Sequence, residues 1–188
     1  MANTNGPFGF RPVRMVGSSA ERSTEYSIAS GLNTSIFTGD PVKMTGTGTD
    51  ITVALGGDTT TIGVFAGCRY INDQGQPTWA RYWPANATYT NAVALVWDDP
   101  NTVFECQVDT LNAADVSLLA DWNDGAGSTA TGMSGRSLVG SAGATTGKSA
   151  RILRLTPIPD NAYGAYAKAE VLLIEHALRG VVAGVGGV

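Results

Sequence analysis

Hydrophobic and polar positions alternate with a period of two through much of residues 36–178. Ile51, Val53 and Leu55 share one face of residues 51–55. Phe104, Cys106 and Val108 share one face of 102–108, and Ile152 and Arg154 stand opposite Leu153 and Leu155 in 149–155. This spacing predicts half-buried β-strands. Further strands are expected over 41–45, 61–71, 77–83, 92–97 and 167–178, the last centred on 170–175. Gly63 and Gly67 predict a bulge or bend in 61–71. Turn signals separate these runs: Thr38-Gly-Asp-Pro41, 46–50, Gly56-Gly-Asp58, Asn72-Asp-Gln-Gly75 and Asp98-Asp-Pro-Asn101.

One segment has a different rhythm. Residues 113–122 place Val116, Leu119 and Ala120 on one helical stripe behind a possible cap at Asn112, with Asp115 in the first turn. A single short helix is expected there. Residues 123–147 are rich in Gly, Ser and Thr, with one possible short strand at 137–139. A loop this long in a compact domain is functional, pinned by partners, or hides strands. Many short strands with one short helix predict an all-β protein, a β-barrel or jelly-roll body spanning 36–178.

Neither end follows the pattern. No period can be drawn through Gly6, Pro7, Gly9 and Pro12. Residues 1–35 therefore read as an extended N-terminal arm, with a short strand near the arm's end, and 179–188 as a Gly-rich C-terminal tail. In the arm, Phe8 and Phe10 are expected to plug into neighbouring chains. Arg11 and Arg14, flanking Pro12, are expected to pair with carboxylates of an acidic partner surface. Packing of the arm on its own barrel is the competing expectation. If the arm is free, deleting 2–14 leaves a folded body.

Composition narrows the setting. Charged residues make up 15% of the 188-residue chain, against about 25% in soluble domains. With 24 glycines and 43% apolar residues, much of the surface is expected to face something other than water. The net charge of −4 and scattered arginines and lysines lack the basic stripe that releases counterions from phosphates, so direct nucleic-acid contact is not expected. No apolar run approaches the roughly 18 residues of a membrane-spanning helix, and Met1-Ala-Asn-Thr lacks the basic start of a secretory leader. Synthesis and folding in a cytoplasm are expected. Cys68 and Cys106 have no metal-ligand spacing and read as buried free thiols.

Candidate chemistry is sparse. His176 is the only histidine, which rules out a histidine pair, and no nucleophile or carboxylate is marked as its partner. Residues 142–149 nearly match a phosphate-binding loop, but Ala142 replaces the first glycine and a period-2 strand follows where a helix must begin. Asp121-Trp-Asn-Asp-Gly125 resembles the start of a calcium loop, with spacing one residue short and no closing Glu. Trp79, Trp83, Trp97 and Trp122 could stack on sugars or anchor a core. No catalytic residue, metal site or cofactor is expected.

Four stretches together resemble a known family. Gly6-Pro-Phe-Gly-Phe-Arg-Pro-Val-Arg14, Tyr26-Ser-Ile-Ala-Ser-Gly31, Ser35-Ile-Phe-Thr-Gly-Asp-Pro-Val-Lys43 and Gly63-Val-Phe-Ala-Gly67 are similar to the capsid decoration (cement) proteins of tailed bacteriophages. The likeness covers about residues 1–75. It implies a β-barrel or jelly-roll body, commonly a homotrimer, on the outer surface of the virion head. The partner would be the major capsid protein, whose subunit junctions such proteins clamp against internal DNA pressure. The resemblance implies no enzyme activity. A tail or fibre component and a carbohydrate-binding β-sandwich remain the alternatives.

Overall fold

The computed structural model describes residues 3–17, 22–140 and 148–179. The body is all-β. A five-stranded antiparallel sheet runs in the order β1 (Arg11–Met15), β10 (Thr102–Gln107), β15 (Lys168–Leu173), β13 (Ala150–Leu155), β12 (Leu119–Ala120). The second sheet runs β2 (Thr24–Ser27), β9 (Thr90–Trp97), β6 (Thr61–Ile71), β4 (Pro41–Met44), β5 (Ile51–Val53), and β7 (Pro77–Ala80) also pairs with β6. Two short pairs complete the ladders: β3 (Ile36–Phe37) with β8 (Tyr82–Trp83), and β11 (Thr110–Leu111) with β14 (Gly164–Ala165).

Alternation along these strands builds two cores. Phe104, Cys106, Ile152, Val171 and Leu173 of the five-stranded sheet pack with Phe10, Trp122 and Leu138. Ile36, Val42, Ile51, Phe65, Trp83 and Val96 form the second cluster. Strand β6 serves both, with Val64 in the first core and Ile62 and Phe65 in the second. The expected irregularity makes this possible. The register of β6 slips against β4 and β9 around Gly63 and Gly67. Gly63 has φ +154°, and a Cβ there would stand 2.9 Å from Cα of Asp98. Glycine lets two chains approach closely at the bend.

The N-terminal segment corrects the expectation of a free arm. Strand β1 is an edge of the five-stranded sheet, with Arg11 opposite Glu105 and Pro12 opposite Phe104. Strand β2 pairs with β9 in the other sheet. Phe10 is 1% exposed and meets Phe104 and Trp122 edge-on, at centroid distances of 6.3 and 5.6 Å. Residues 3–9 are irregular but tied. Asn3 donates to the carbonyls of Ala162 and Ala165, the Gly6 N–H donates to Gln107, and the Gly9 N–H donates to the Arg136 carbonyl. Prolines and glycines exclude a long ladder here, so the backbone finds partners one at a time.

The expected helix over 113–122 is also corrected. Only Ala113–Asp115 turns, as a 3₁₀ element in which the Asp115 carboxylate accepts the Asn112 N–H at 2.7 Å. Ser117 then adopts φ +73°, and Leu119–Ala120 pair with β13. The open edge of β13 outcompetes a weak local helix preference. Residues 123–140 are pinned by their own chain. Leu138 is buried and bridges both Val108 and Trp122. The expected terminal strand ends at Leu173, and the chain then bends so that His176 bridges Thr61. Residues 180–188 of the expected tail, and 141–147 of the near-match to a phosphate loop, lie outside the described residues.

Candidate partner-binding face

Three distant stretches, the N-terminal segment among them, are stitched together by backbone hydrogen bonds. The Phe10 N–H donates to the Gly39 carbonyl, the Gly39 N–H to the Phe65 carbonyl, and the Phe65 N–H to the Asp40 carbonyl, each at 2.9 Å. Gly39 has φ +96°, and a Cβ there would stand 2.7 Å from the Phe8 carbonyl oxygen. The turn can receive the N-terminal segment only without a side chain at this position.

Beneath the turn lies a buried polar network. Asp40 is 3% exposed and Arg136 is 5% exposed. The Arg136 guanidinium donates to Asp40 at 3.2 Å and also pairs with Asp124. Ser134 Oγ donates to Asp40 at 2.6 Å, and the Phe37 N–H donates at 2.8 Å. Burial pushes the Asp40 carboxyl above its ordinary range, although these donors and the Arg136 charge pull the other way. The network fastens the small-residue loop to the 36–41 turn.

Above the turn opens a groove of about 330 Å³. Half-buried Phe8, Trp97 and Met133 line it, with Gly39 and Ala66 at its base and Arg11 and Arg81 on its rim. The rim is held by backbone. The Thr38 N–H donates to the carbonyls of Arg81 and Gly132 at 3.0 Å, and the Ser134 N–H donates to the Thr38 carbonyl at 2.9 Å. Arg11 lies 5.1 Å from the centre of the Phe8 ring, a cation–π contact, and forms an ion pair with Glu105.

Arg11 also begins a charged row across four strands. Glu105 stands opposite Arg11 and Glu170, and Glu170 stands opposite Arg154. Arg14 and Arg154 donate to Glu170 at 2.9 and 2.6 Å. Burial would raise the Glu170 carboxyl, but the two guanidinium groups hold it below its usual range. Directly opposed like charges are destabilising, so the arginines make the Glu105–Glu170 juxtaposition tolerable. In this row Arg11 and Arg14 bind carboxylates of their own chain.

The candidates named from sequence therefore divide. Phe8 and Arg11 face the groove, Phe10 is its floor and part of the core, Pro12 sits in the edge strand, and Arg14 belongs to the charged row. Pro12 and the register shift between Pro12 and Arg14 interrupt the edge of β1, which discourages an added strand there. Trp97, Met133 and Arg81 were not singled out as partners of this segment, because only the fold brings them to it.

The remaining candidates are dispersed. Trp83 and Trp122 are core residues, while Trp79 is 69% exposed on β7. Cys68 and Cys106 are buried free thiols. Burial pushes the Cys68 thiol up to about 12 and the Cys106 thiol higher still. Lys148 and the Ser149 N–H both bind Asp121, at 2.8 and 3.0 Å, and β13 follows them. Burial lowers His176 to about 4, and its Nε2 has no hydrogen-bond partner among the described residues. Among the described residues, no three His, Cys, Asp or Glu side chains form a possible metal-ligand group.

No family model matches the chain, and comparisons with curated proteins and with solved structures also give no significant match.

Proposed function

We propose that this protein is a capsid decoration protein, a virion structural component that binds the outer surface of a bacteriophage head and braces contacts between major capsid protein subunits. The supporting observation is a convergence. Three of the four stretches behind the family resemblance, 6–14, 35–43 and 63–67, hydrogen-bond to one another through Phe10, Gly39 and Phe65. Their residues Phe8, Phe10, Arg11, Thr38, Gly39 and Ala66 line one groove. In this reading the similar residues build a docking surface, and the protein works as an interaction module without catalysis.

The mechanism is additive. One copy buries a standard-sized contact, on the order of 1,600 Å² in total. Copies joined as a homotrimer, the assembly the resemblance implies, would bridge several subunits, and linked contacts hold far more tightly than any one alone. The low proportion of charged residues, 15%, suits a surface partly covered by protein.

Co-sedimentation tests the proposal. Purified protein is mixed with expanded heads that lack it, and the bound amount is measured at increasing input. Saturation at a fixed ratio to the capsid subunit is expected. Protein that stays in the supernatant while assembling with tail or fibre components would replace this reading with the other virion role.

A further inference from the structure

The groove carries information about what enters it. Its walls are apolar through Phe8, Trp97 and Met133, and no carboxylate lines it. Two guanidinium groups stand on the rim, but they differ. Arg11 is occupied by Glu105. Arg81 is exposed and makes no side-chain hydrogen bond or ion pair among the described residues. Its backbone carbonyl accepts bonds from the Thr38 N–H and hydroxyl, at 3.0 and 2.6 Å. The backbone at Arg81 is thus anchored beside an apolar slot, while the charged head has no partner among the described residues.

We propose that this groove receives a segment of another protein chain in which a large apolar side chain stands next to an Asp or Glu. The apolar side chain would enter between Phe8, Trp97 and Met133, with Met133 adapting to its shape. The carboxylate would pair with Arg81, whose planar fork suits two-point binding. Arg11, already neutralised by Glu105, would keep Phe8 in place through its cation–π contact. Charge complementarity selects this occupant: a basic segment would set a second positive group beside Arg81, with no acid in the groove lining to offset it. Assigning the segment to a capsid subunit rests on the function proposed above, whereas the recognition chemistry rests on the groove.

The test uses the whole protein and three fluorescein-labelled octapeptides read by fluorescence polarisation. One carries Phe and Leu beside Asp residues, the second replaces Asp with Lys, and the third replaces Phe and Leu with Ala. The first should bind, weaken as salt rises, and bind at least about 10-fold less tightly to Arg81→Glu, the loss of one charge-assisted hydrogen bond. The other two peptides should bind at least about 10-fold less tightly to the native protein. Arg81→Glu should keep the native melting temperature, since the Arg81 side chain is exposed and has no partner among the described residues. Failure of the first peptide to bind at about 1 mM, a weak-binding limit of about −4 kcal/mol, would overturn the inference. Equal binding of the Asp and Lys peptides, or equal binding to Arg81→Glu, would do the same. The same variant is then mixed with capsids. Heads that bind the native protein and Arg81→Glu equally well would refute the assignment of the segment to a capsid subunit and leave the decoration role standing. Arg81-dependent peptide binding by a protein that ignores heads would refute the role and leave the groove chemistry standing.

Discussion

Replacing Phe10 by Ala separates an integral N-terminal segment from a free arm. The ring is 1% exposed and packs edge-on against Phe104 and Trp122, with interplanar angles of 84° in both pairs. Burying a phenylalanine contributes about 1.5–3 kcal/mol, and edge-to-face pairs add about 0.5–1.5 kcal/mol. The substitution also leaves a cavity between two sheets that cannot close freely, so a loss of about 3–5 kcal/mol is expected. For a chain of this size, about 2–4 °C per kcal/mol gives a drop of roughly 6–20 °C in melting temperature. Phe8→Ala is the internal control. Phe8 is half-buried on the groove wall and should cost under about 1.5 kcal/mol, the lower end of what full burial of such a ring contributes. Chemical denaturation followed by tryptophan fluorescence measures both variants. A loss under about 1 kcal/mol for Phe10→Ala, or equal losses for the two variants, would refute an integral segment, because a docked core ring cannot be that cheap to remove. Deletion of residues 2–14 should destabilise at least as much as Phe10→Ala, contrary to what a free arm would do.

Arg136→Met leaves Asp40 buried without its cation and should cost about 3–5 kcal/mol in a denaturation experiment, whereas the double variant Arg136→Met, Asp40→Asn should recover part of that loss. His176 predicts an acid-sensitive contribution: its folded value of about 4 lies below the ordinary 6.5, so the unfolded chain takes up the proton first. That stability is fully present above about pH 6.5 and is lost as pH falls toward 4. His176→Gln should flatten this part of the pH–stability curve, and an unchanged curve would remove His176 as its source. Gly39→Ala should lower the melting point, because the new Cβ meets the Phe8 carbonyl in a left-handed backbone; no change would show that the turn can shift. The two cysteines should resist a thiol reagent in the native protein and react together on unfolding, as read by absorbance.

The period-2 strands were legible because their signal is local. Alternation in 51–55, 102–108 and 149–155 is visible without knowing any partner, and Gly63 and Gly67 flagged the bend that lets β6 serve two cores. Strand β1 was not legible: Pro12 and the bulge after it break the period, and its partner β10 lies about 90 residues away in the chain. The helical stripe at 113–122 was real as a pattern but lost to pairing with β13, a choice made by tertiary structure. Arg136 carried an unused clue. A lone arginine inside a Gly/Ser/Thr stretch has little reason to be there unless it pairs, and it does so with Asp40 from inside. In the candidate site, Phe8 and Arg11 could be named from sequence. Arg81, Trp97 and Met133 could not, because the groove exists only where six separate stretches meet.

The most direct measurement is radical footprinting of the protein free and bound to expanded capsids, read by mass spectrometry at individual side chains. Met133 and Trp97, half-exposed at the groove, should lose reactivity on binding, while the exposed Met44, at the end of β4 away from Gly39, keeps most of its own. Protection of Met44 with unchanged Met133 and Trp97, or no protection anywhere in the presence of capsids, would contradict the account.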